Sequence, residues 1–386
     1  MFSSRFHWDL RPNRLTQLLE IRRGEGARIL DLTESNPTHA GLSYPAGIAE
    51  AFADPRILHY EPLPAGAVDA RQAVARYYAA RGCTVDIGRI LLTASTSEAY
   101  AYLFKLLADP GDQVLVPRPS YPLFEFLATM ESLDVRQYPL AYHGGWSIDL
   151  DALEAAVTDR TRAIVLVNPN NPTGSFIQRA ELAALTRLAA ARRLALISDE
   201  VFSDYAFSPD ADRVATLADV EDCLAFSMSG LSKVAGLPQM KLGWIVCAGP
   251  ERLRREAMEK LEWIADTFLS VGTPVQCAAA RLLEAGEEVQ RQARRRTAQN
   301  LAFAREKLKG SAANPLAVEG GWYVTLQVPR IRSEEEWALE LLARRDVLVQ
   351  PGFFYDFDAE AFLIVSLLTS PEIFREGVTR LATLLL

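Results

Sequence analysis

The stretch Ser227-Met-Ser-Gly-Leu-Ser-Lys-Val-Ala-Gly-Leu-Pro-Gln-Met-Lys-Leu-Gly-Trp244 places Lys233 among small, hydroxylated and apolar side chains. It follows an apolar run, Leu224-Ala225-Phe226, that is typical of a buried strand. Desolvation disfavours the ammonium form of lysine, so an amine in this setting is predicted to have a lowered pKa and to attack carbonyl groups. The alternative interpretation, a loop lysine whose ammonium group reaches water, fits this stretch equally well when it is taken alone.

The composition of the 386-residue chain is that of an ordinary globular protein, with 49% hydrophobic and 23% charged residues. The formal net charge of −8 disfavours nucleic acid as a partner. No apolar run approaches the roughly 20 residues of a membrane span, and the first residues lack the apolar core of a signal peptide. Four scattered cysteines without a C-x-x-C pair indicate neither a zinc site nor a disulfide framework, which fits reduced thiols in a cytoplasmic protein.

Apolar strand patterns alternate with helical patterns between residues 90 and 247. This alternation predicts an α/β fold with a mostly parallel sheet between two layers of helices. Ligands of such sheets collect at the carboxyl ends of the strands. Asn171, Asp199 and Lys233 each follow a predicted strand, so we expect these three side chains to open onto one edge of the sheet.

The pattern after about residue 275 predicts a second, smaller α/β domain. Two long helical patterns, Pro250–Phe268 and Pro274–Leu308, lie on either side of this boundary, and the second is expected to contain breaks. Strand patterns at 320–328, 347–350 and 362–368 and a closing helix at 372–385 follow. We expect residues 1–44 to join this small domain, residues 45–275 to form the large domain and residues 276–386 to form the small one.

Three small hydroxylated residues, Ser95, Thr96 and Ser97, stand between a predicted strand and a predicted helix. The free N–H groups and the positive dipole end of a helix N-terminus can bind an anion such as phosphate. The alternative is a plain helix cap, in which Ser95 or Thr96 accepts a backbone N–H and Glu98 completes a capping box.

With these residues placed, the chain resembles the class I and II aminotransferases of the aspartate aminotransferase superfamily, whose architecture is called fold type I. The resemblance spans about residues 30–385. The segments that carry it are Leu91-Leu-Thr-Ala-Ser-Thr-Ser-Glu-Ala99, Pro110-Gly-Asp-Gln-Val-Leu-Val-Pro-Arg-Pro-Ser-Tyr-Pro122, Asn168-Pro-Asn-Asn-Pro-Thr-Gly174, Ser198-Asp-Glu-Val201 and Ser232-Lys233. It implies pyridoxal 5′-phosphate (PLP) as the cofactor.

The resemblance also implies roles for individual residues. Lys233 matches the lysine that binds PLP as a Schiff base and later moves a proton, and Asp199 matches the carboxylate beside the ring nitrogen. Asn171 matches the amide that bonds the phenolic oxygen, and Tyr121 matches the aromatic residue that stacks on the ring. The residues matched to phosphate binding are Ser95, Thr96, Ser97, Ser232 and Lys241.

Two further matches concern the partner subunit and the substrate. Tyr60 resembles a tyrosine that reaches the phosphate of the neighbouring subunit, which implies a homodimer with shared active sites. Its spacing to Gly66 is one residue longer than the family pattern. The loop that contains Asn36 resembles the family's N-terminal segment that contacts the substrate.

The sequence departs from the family pattern at four positions. Phe202 stands where a tyrosine usually donates to the phenolic oxygen, which implies a higher pKa for the Schiff base than in relatives that keep the tyrosine. Lys241 replaces an arginine that grips the phosphate with two bonds, and Gly230 replaces a serine. Ile364 stands where an arginine binds the substrate carboxylate. The substrate therefore lacks that carboxylate, or another cation or a set of N–H groups binds it.

The resemblance implies transamination from an amine or amino-acid donor to a keto acceptor. A lyase or decarboxylase that uses the same cofactor is the alternative within the fold. A regulatory protein of this type usually carries a fused DNA-binding domain, which is not expected in the residues before 30. A Ser-x-x-Lys hydrolase would need a serine at Gly230, and the four histidines lack the H-E-x-x-H spacing of a metal hydrolase.

Overall fold

The alternating segments form one large sheet and a separate group of short strands. The computed structural model describes residues 2–6, 8 and 11–385. The strands are β1 Leu30–Asp31, β2 Ile90–Thr93, β3 Gln113–Arg118, β4 Asp134–Tyr142, β5 Trp146–Ile148, β6 Thr161–Val167, β7 Ala195–Asp199, β8 Ala225–Gly230, β9 Gly243–Ala248, β10 Asn314–Pro315, β11 Tyr323–Gln327, β12 Val347–Leu348, β13 Gln350–Pro351 and β14 Phe362–Ser366.

Helices connect and cover these strands. They are α1 Arg14–Gly24, α2 Gly47–Glu50, α3 Val68–Ala79, α4 Thr96–Leu107, α5 Leu123–Met130, α6 Leu150–Ala156, α7 Arg179–Arg192, α8 Leu231–Val234, α9 Glu251–Phe268, α10 Thr273–Lys307, α11 Glu334–Arg345 and α12 Pro371–Leu384. None of the helices in the described ranges combines the length and the apolar character needed to cross a membrane.

Among the described residues, eight strands form the large sheet in the spatial order β2-β9-β8-β7-β6-β3-β4-β5. The pairs from β4 through β3, β6 and β7 to β8 are parallel, whereas β9 runs antiparallel to β2 and β8, and β5 runs antiparallel to β4. The predicted α/β fold with a mostly parallel sheet is therefore confirmed. The sequence did not predict that β9 and the short edge strand β5 would run antiparallel to their neighbours.

The sheet is buried on both faces because its strands are apolar on both. In β3, Val114 and Val116 pack in an apolar cluster with residues of α4 on one face of the sheet. Leu115, which lies between them in the sequence, packs in a second apolar cluster on the opposite face. The parallel register places Val167 of β6 beside Asp199 of β7. The loop after β6 and the last residue of β7 therefore reach the same edge, as the sequence predicts.

The short strands form two further sheets outside the large one. One is antiparallel with the order β10-β11-β14-β13, and the other pairs β1 in parallel with β12. Leu30 lies beside Val347, so the chain near residue 30 packs with the C-terminal part of the protein. This pairing supports the division into segments 1–44, 45–275 and 276–386, which remains a prediction.

Helix α10 is a single helix of 35 residues, so the expected breaks in this segment were wrong. The helix remains regular because its glycine, Gly286, is used for close packing instead of a turn. A Cβ atom on Gly286 would lie 2.3 Å from the Cβ and 2.8 Å from the Cα of Ala235. Helix α10 therefore packs against the backbone two residues after Lys233.

We expect the substitution Gly286→Ala to destabilise the protein. Alanine is the better helix former by about 1 kcal/mol, but the added methyl group must displace the backbone at Ala235, and overpacking costs about 1–3 kcal/mol. The matched control is Gly24→Ala at the end of α1, where no atom lies within 4 Å of the added Cβ. Urea unfolding of both variants checks this, and equal stabilities would contradict the close packing.

Candidate active site

Lys233 lies in the short helix α8, directly after β8. The hydroxyl of Tyr205 donates to the Lys233 carbonyl oxygen at 2.5 Å and fixes the backbone there. The Lys233 Nζ atom lies 5.1 Å from the ring centroid of Trp322 and 5.8 Å from that of Phe202. Burial lowers the pKa of Lys233, while the charge of Asp199 acts in the opposite direction. The pKa of this amine is therefore shifted downward, which is the direction predicted from the sequence.

Asp199 is the last residue of β7, and burial raises the pKa of its carboxyl to about 6. Three neighbours act against that shift. The Val201 N–H donates to Oδ1 at 3.2 Å, the Tyr100 hydroxyl donates to Oδ2 at 3.4 Å, and Lys233 contributes a positive charge. A further cation against this carboxylate would lower its pKa again, so the position suits a positively charged ligand group.

Asn171 lies in the loop that follows β6. Its amide oxygen is buried and accepts no hydrogen bond from the described residues. The neighbouring Asn170 holds the loop in place, because its Oδ1 accepts from the Ser120 hydroxyl and its Nδ2 donates to the Pro119 carbonyl, both at 3.0 Å. The Asn171 amide oxygen is therefore buried, lacks a hydrogen-bond donor in the described part of the chain and lies on a loop held in place by hydrogen bonds. These are the features expected of a residue that binds a polar ligand.

Ser95 caps the N-terminus of α4, as the alternative interpretation predicts, but the predicted capping box does not form because Glu98 bonds the N–H of Ala94 and not that of Ser95. Ser95 Oγ accepts from the Glu98 N–H at 3.2 Å, and the Glu98 carboxylate accepts from the Ala94 N–H at 2.7 Å. These bonds leave the hydroxyls of Thr96 and Ser97 without hydrogen bonds in the described part of the chain. The cap and an anion site are therefore compatible at this turn.

Lys241 and Ser232 lie near this turn. A Cβ on Gly243, at the start of β9, would lie 3.2 Å from the carbonyl carbon of Ser95, so β9 begins against the turn. Lys241, two residues earlier, is exposed and has a left-handed backbone with φ 54°. Ser232 is half-buried beside Lys233. The strand that follows Lys241 therefore begins against the turn that contains Ser95.

Three other predicted residues make no hydrogen bond or ion pair with Lys233 in the described part of the chain. Tyr121, just before α5, is 47% exposed and influences the pKa of Tyr323. Tyr60 is 73% exposed and makes no hydrogen bond with any described residue. The Asn36 amide oxygen accepts from the N–H and the hydroxyl of Thr38, at 3.0 and 2.8 Å, in a local turn. The structure does not bring Tyr60 into contact with Lys233 of the same chain.

Two of the positions that depart from the family pattern, Phe202 and Ile364, lie in apolar surroundings. Phe202 packs edge-on against Trp322 with their ring centroids 5.2 Å apart. Ile364 is fully buried in β14, opposite Thr325 of β11. Neither side chain offers a hydrogen bond to a ligand.

Sequence reasoning missed Tyr100, Tyr205 and Trp322. Tyr100 could have been found, because it lies one helical turn after Thr96 and therefore faces the same side of α4. Tyr205 and Trp322 reach Lys233 from distant parts of the chain. No pattern near either residue indicates that contact.

Comparisons with known proteins agree with this geometry. The family model described as aminotransferase class I and II matches residues 27–381. The glutamate-pyruvate aminotransferase AlaA of Escherichia coli is 30% identical over 265 residues, which are 66% of this chain and 63% of that protein. The arginine-pyruvate transaminase AruH of Pseudomonas aeruginosa is 30% identical over 386 residues, covering 97% of this chain and 93% of the relative.

A solved structure shares the fold over the whole chain. The alanine aminotransferase of Pyrococcus furiosus superposes with a TM-score of 0.90 at 23% identity, covering 100% of this chain and 99% of that one. The match to AlaA spans less than two thirds of the length of that relative. The family model covers nearly the whole chain, and this protein belongs to the class I and II aminotransferase family.

Proposed function

We propose that this protein is a PLP-dependent aminotransferase that moves an amino group from an amine or amino-acid donor to a keto acceptor. The donor carbon loses its nitrogen and a hydrogen and takes the oxygen of water, so the donor is oxidised to a carbonyl compound. The acceptor gains the nitrogen and the hydrogen, is reduced to an amine and releases water. The observation that carries the proposal is the desolvated Lys233 amine at the sheet edge where Asp199 ends β7, close enough for the charge of Asp199 to raise the pKa of that amine.

The residues present fit PLP. Asp199 would hold the protonated ring nitrogen, the unused amide of Asn171 would bond the phenolic oxygen, and Tyr121 would cover the ring. The residues that would hold the phosphate are Ser95, Thr96, Ser97, Ser232 and Lys241. When bound, PLP supplies an electron sink that lets the hydrogen on the amine-bearing carbon leave as a proton.

The chain itself contributes the proton transfer and the exclusion of water. Burial lowers the pKa of Lys233 and so favours the neutral amine, and a neutral Nζ atom can accept a proton and return it. Trp322 and Phe202 shield this amine from solvent, and the bond from Tyr205 keeps its backbone in place. Asp199 keeps a negative charge where a cationic ring would lie.

Transamination is favoured over the lyase or decarboxylase alternative. AlaA, AruH and the Pyrococcus furiosus protein are all named as aminotransferases or transaminases. The same pair, Lys233 and Asp199, would serve either chemistry, so the support for transamination comes from these relatives.

A homodimer in the cytoplasm is part of the proposal. Tyr60 lies among exposed apolar side chains that a second copy would cover, namely Leu58, Leu63, Phe268 and Leu269. The thiols of Cys83, Cys223 and Cys247 are buried and free, which suits a reducing compartment. Sedimentation of the purified protein and fractionation of the cells test these two points, and a monomer would remove the proposed role of Tyr60.

Trapping with borohydride tests the proposed function directly. The purified protein is incubated with PLP, reduced with borohydride, digested and analysed by mass spectrometry. We expect a pyridoxyl adduct on the peptide that contains Lys233, and formation of pyridoxamine phosphate when an amino donor is added before reduction. An adduct on other lysines only, or none, would overturn the proposal. Regeneration of the original absorbance with release of an eliminated or decarboxylated product would favour the alternative.

A further inference from the structure

One face of the small sheet points toward Lys233. Side chains alternate across a strand, so Tyr323 and Thr325 of β11 share a face. Their partners across the antiparallel pairing with β14 are Ser366 and Ile364, which lie on that face too. The opposite face belongs to the apolar core through Val324, Leu326, Leu363 and Val365.

Aromatic contacts connect this face to the reactive amine. The ring centroid of Tyr323 lies 6.3 Å from that of Phe202, and the Lys233 Nζ atom lies 5.8 Å from the same Phe202 ring. Trp322, the residue before β11, is 5.1 Å from Nζ. Tyr323 therefore lies beyond the Phe202 ring from the reactive amine, on the face of the small sheet that is turned toward Lys233.

The face offers hydrogen bonds without charge. Gln350 of β13 is the register partner of Ile364, and its Oε1 accepts a hydrogen bond from the Tyr355 hydroxyl. Thr325 is 2% exposed, and its hydroxyl has no partner among the described residues; the same holds for the indole N–H of the buried Trp322. Each unpaired buried group is unfavourable by about 1–3 kcal/mol, and a ligand with matching groups would relieve that cost.

The charge that reaches this face is negative. The pKa of Tyr323 is raised to about 12, mainly by burial, with smaller contributions from Tyr121 and from the carboxylate of Glu34. Two arginines on neighbouring elements are already engaged. Arg296 donates to backbone carbonyl groups, and Arg118 pairs with Asp358 at 2.8 Å. A carboxylate placed here would meet the negative charge of Glu34, while both of these arginines already have partners.

We propose that the substrate presents an uncharged hydrogen-bonding group, a hydroxyl or a carboxamide, to the face formed by Tyr323, Thr325, Ile364, Gln350 and Tyr355, and not a free carboxylate. This inference rests on the proposed function and names the substrate class for the same site. Vicinal amino alcohols and amino-acid amides are the donors that fit. The carbonyl acceptor meets the same face, so it carries an uncharged group at this position as well.

Matched donors test the inference in the PLP-loaded protein. Alanine, alaninamide and alaninol differ only in the group next to the amine-bearing carbon. The rate constant of the first half-reaction, measured by stopped-flow absorbance, is expected to be at least about tenfold higher for alaninol or alaninamide than for alanine. The faster of the two shows whether the hydroxyl or the carboxamide is preferred. A preference for alanine would overturn the inference.

Binding without turnover gives a second measurement. The donors 2-methylalanine and 2-amino-2-methyl-1-propanol lack the hydrogen that must leave, so they bind without completing transfer. The amino alcohol is expected to raise the melting temperature of the loaded protein more than the amino acid does at the same concentration. The reverse order would overturn the inference.

Variants of Ile364 and Thr325 distinguish the effect of charge on the donor preference from the effect of side-chain size. Ile364→Arg is expected to shift the ratio of alanine to alaninol rates by at least about tenfold in favour of alanine, because it adds a cation to the face. Ile364→Met, which adds length without charge, is the control and should keep the original preference. Thr325→Val should slow alaninol more than it slows alanine, and an equal loss for both donors would contradict the assigned contact.

Failure of the inference and failure of the proposed function give different results. If no adduct forms on Lys233 after borohydride treatment, the proposed function fails, and the substrate class fails with it. If the adduct forms and alanine is the better donor in both measurements, transamination stands and the uncharged substrate class is wrong.

Discussion

Replacing Lys233 with alanine is expected to abolish the trapped adduct and to reduce the rate of amino transfer by at least about 10⁴-fold, the upper range for loss of a positioned acid or base. The change removes the amine that would bind PLP and would move the proton. The hydroxyl of Tyr205 bonds the backbone carbonyl of residue 233, not the side chain, so the turn should remain intact. Circular dichroism checks that the fold remains intact, and the rate of pyridoxamine phosphate formation checks the loss of activity.

Lys241 is the matched control for this substitution, because it lies in the same stretch and is exposed. Lys241→Asn removes the charge and retains a residue that tolerates the left-handed backbone at this position. We expect weaker PLP binding from the loss of one phosphate contact, with the adduct on Lys233 still formed at high PLP concentration. If Lys233→Ala and Lys241→Asn had equal effects on trapping, the assignment of Lys233 as the reacting amine would be wrong.

The sequence predicts the part of the site that depends on strand ends. Asn171, Asp199 and Lys233 follow β6, β7 and β8, which are neighbours in a parallel sheet, so their order along the chain is enough to bring them to one edge. The apolar strands themselves are identified by composition, since both faces of the sheet are buried.

The rest depends on contacts between distant segments. Trp322 reaches Lys233 from a segment about 90 residues away, and no local periodicity encodes that approach. The reversal of β9 could not be predicted either, because residues 231–242, which join β8 to β9, are long enough for either a parallel or an antiparallel neighbour. The uncharged face around Ile364 was visible in the sequence as a missing arginine, but its unpaired hydroxyl on Thr325 appears only in the packed sheet.

Replacing Asp199 with asparagine is expected to stabilise the protein without PLP while weakening its activity. The pKa of this carboxyl is about 6 in the folded protein and 3.8 for an unperturbed aspartate, so the unfolded chain holds its proton less tightly. The stability that this group contributes is therefore lost as the pH rises from about 4 to about 6, and near pH 7.5 its charge destabilises the fold by about 1–3 kcal/mol. The asparagine side chain carries no charge, so the unfolding free energy of Asp199→Asn should exceed that of the wild type above pH 6.

The two proteins should become equally stable below about pH 4, where Asp199 is protonated in both the folded and the unfolded state. Urea unfolding between pH 4 and pH 8 checks the trend. Asp204→Asn is the control, since Asp204 pairs with Arg81 at 2.6 Å and accepts hydrogen bonds from Tyr77 and Gln290. Loss of a paired buried charge should destabilise that variant at neutral pH. Equal behaviour of the two variants would contradict the difference in their surroundings.

The same substitution should weaken the loaded enzyme. A buried charge pair that loses one partner loses about 2–5 kcal/mol, which corresponds to a decrease in PLP affinity of roughly 30-fold or more. A neutral asparagine also leaves the ring nitrogen without the charge that keeps it protonated, so the rate of transfer at saturating PLP should fall as well. A carboxylate that destabilises the empty fold and stabilises the loaded one marks a position selected for ligand binding instead of folding. Unchanged PLP affinity in Asp199→Asn, measured by fluorescence titration, would show that this carboxylate does not face the ring.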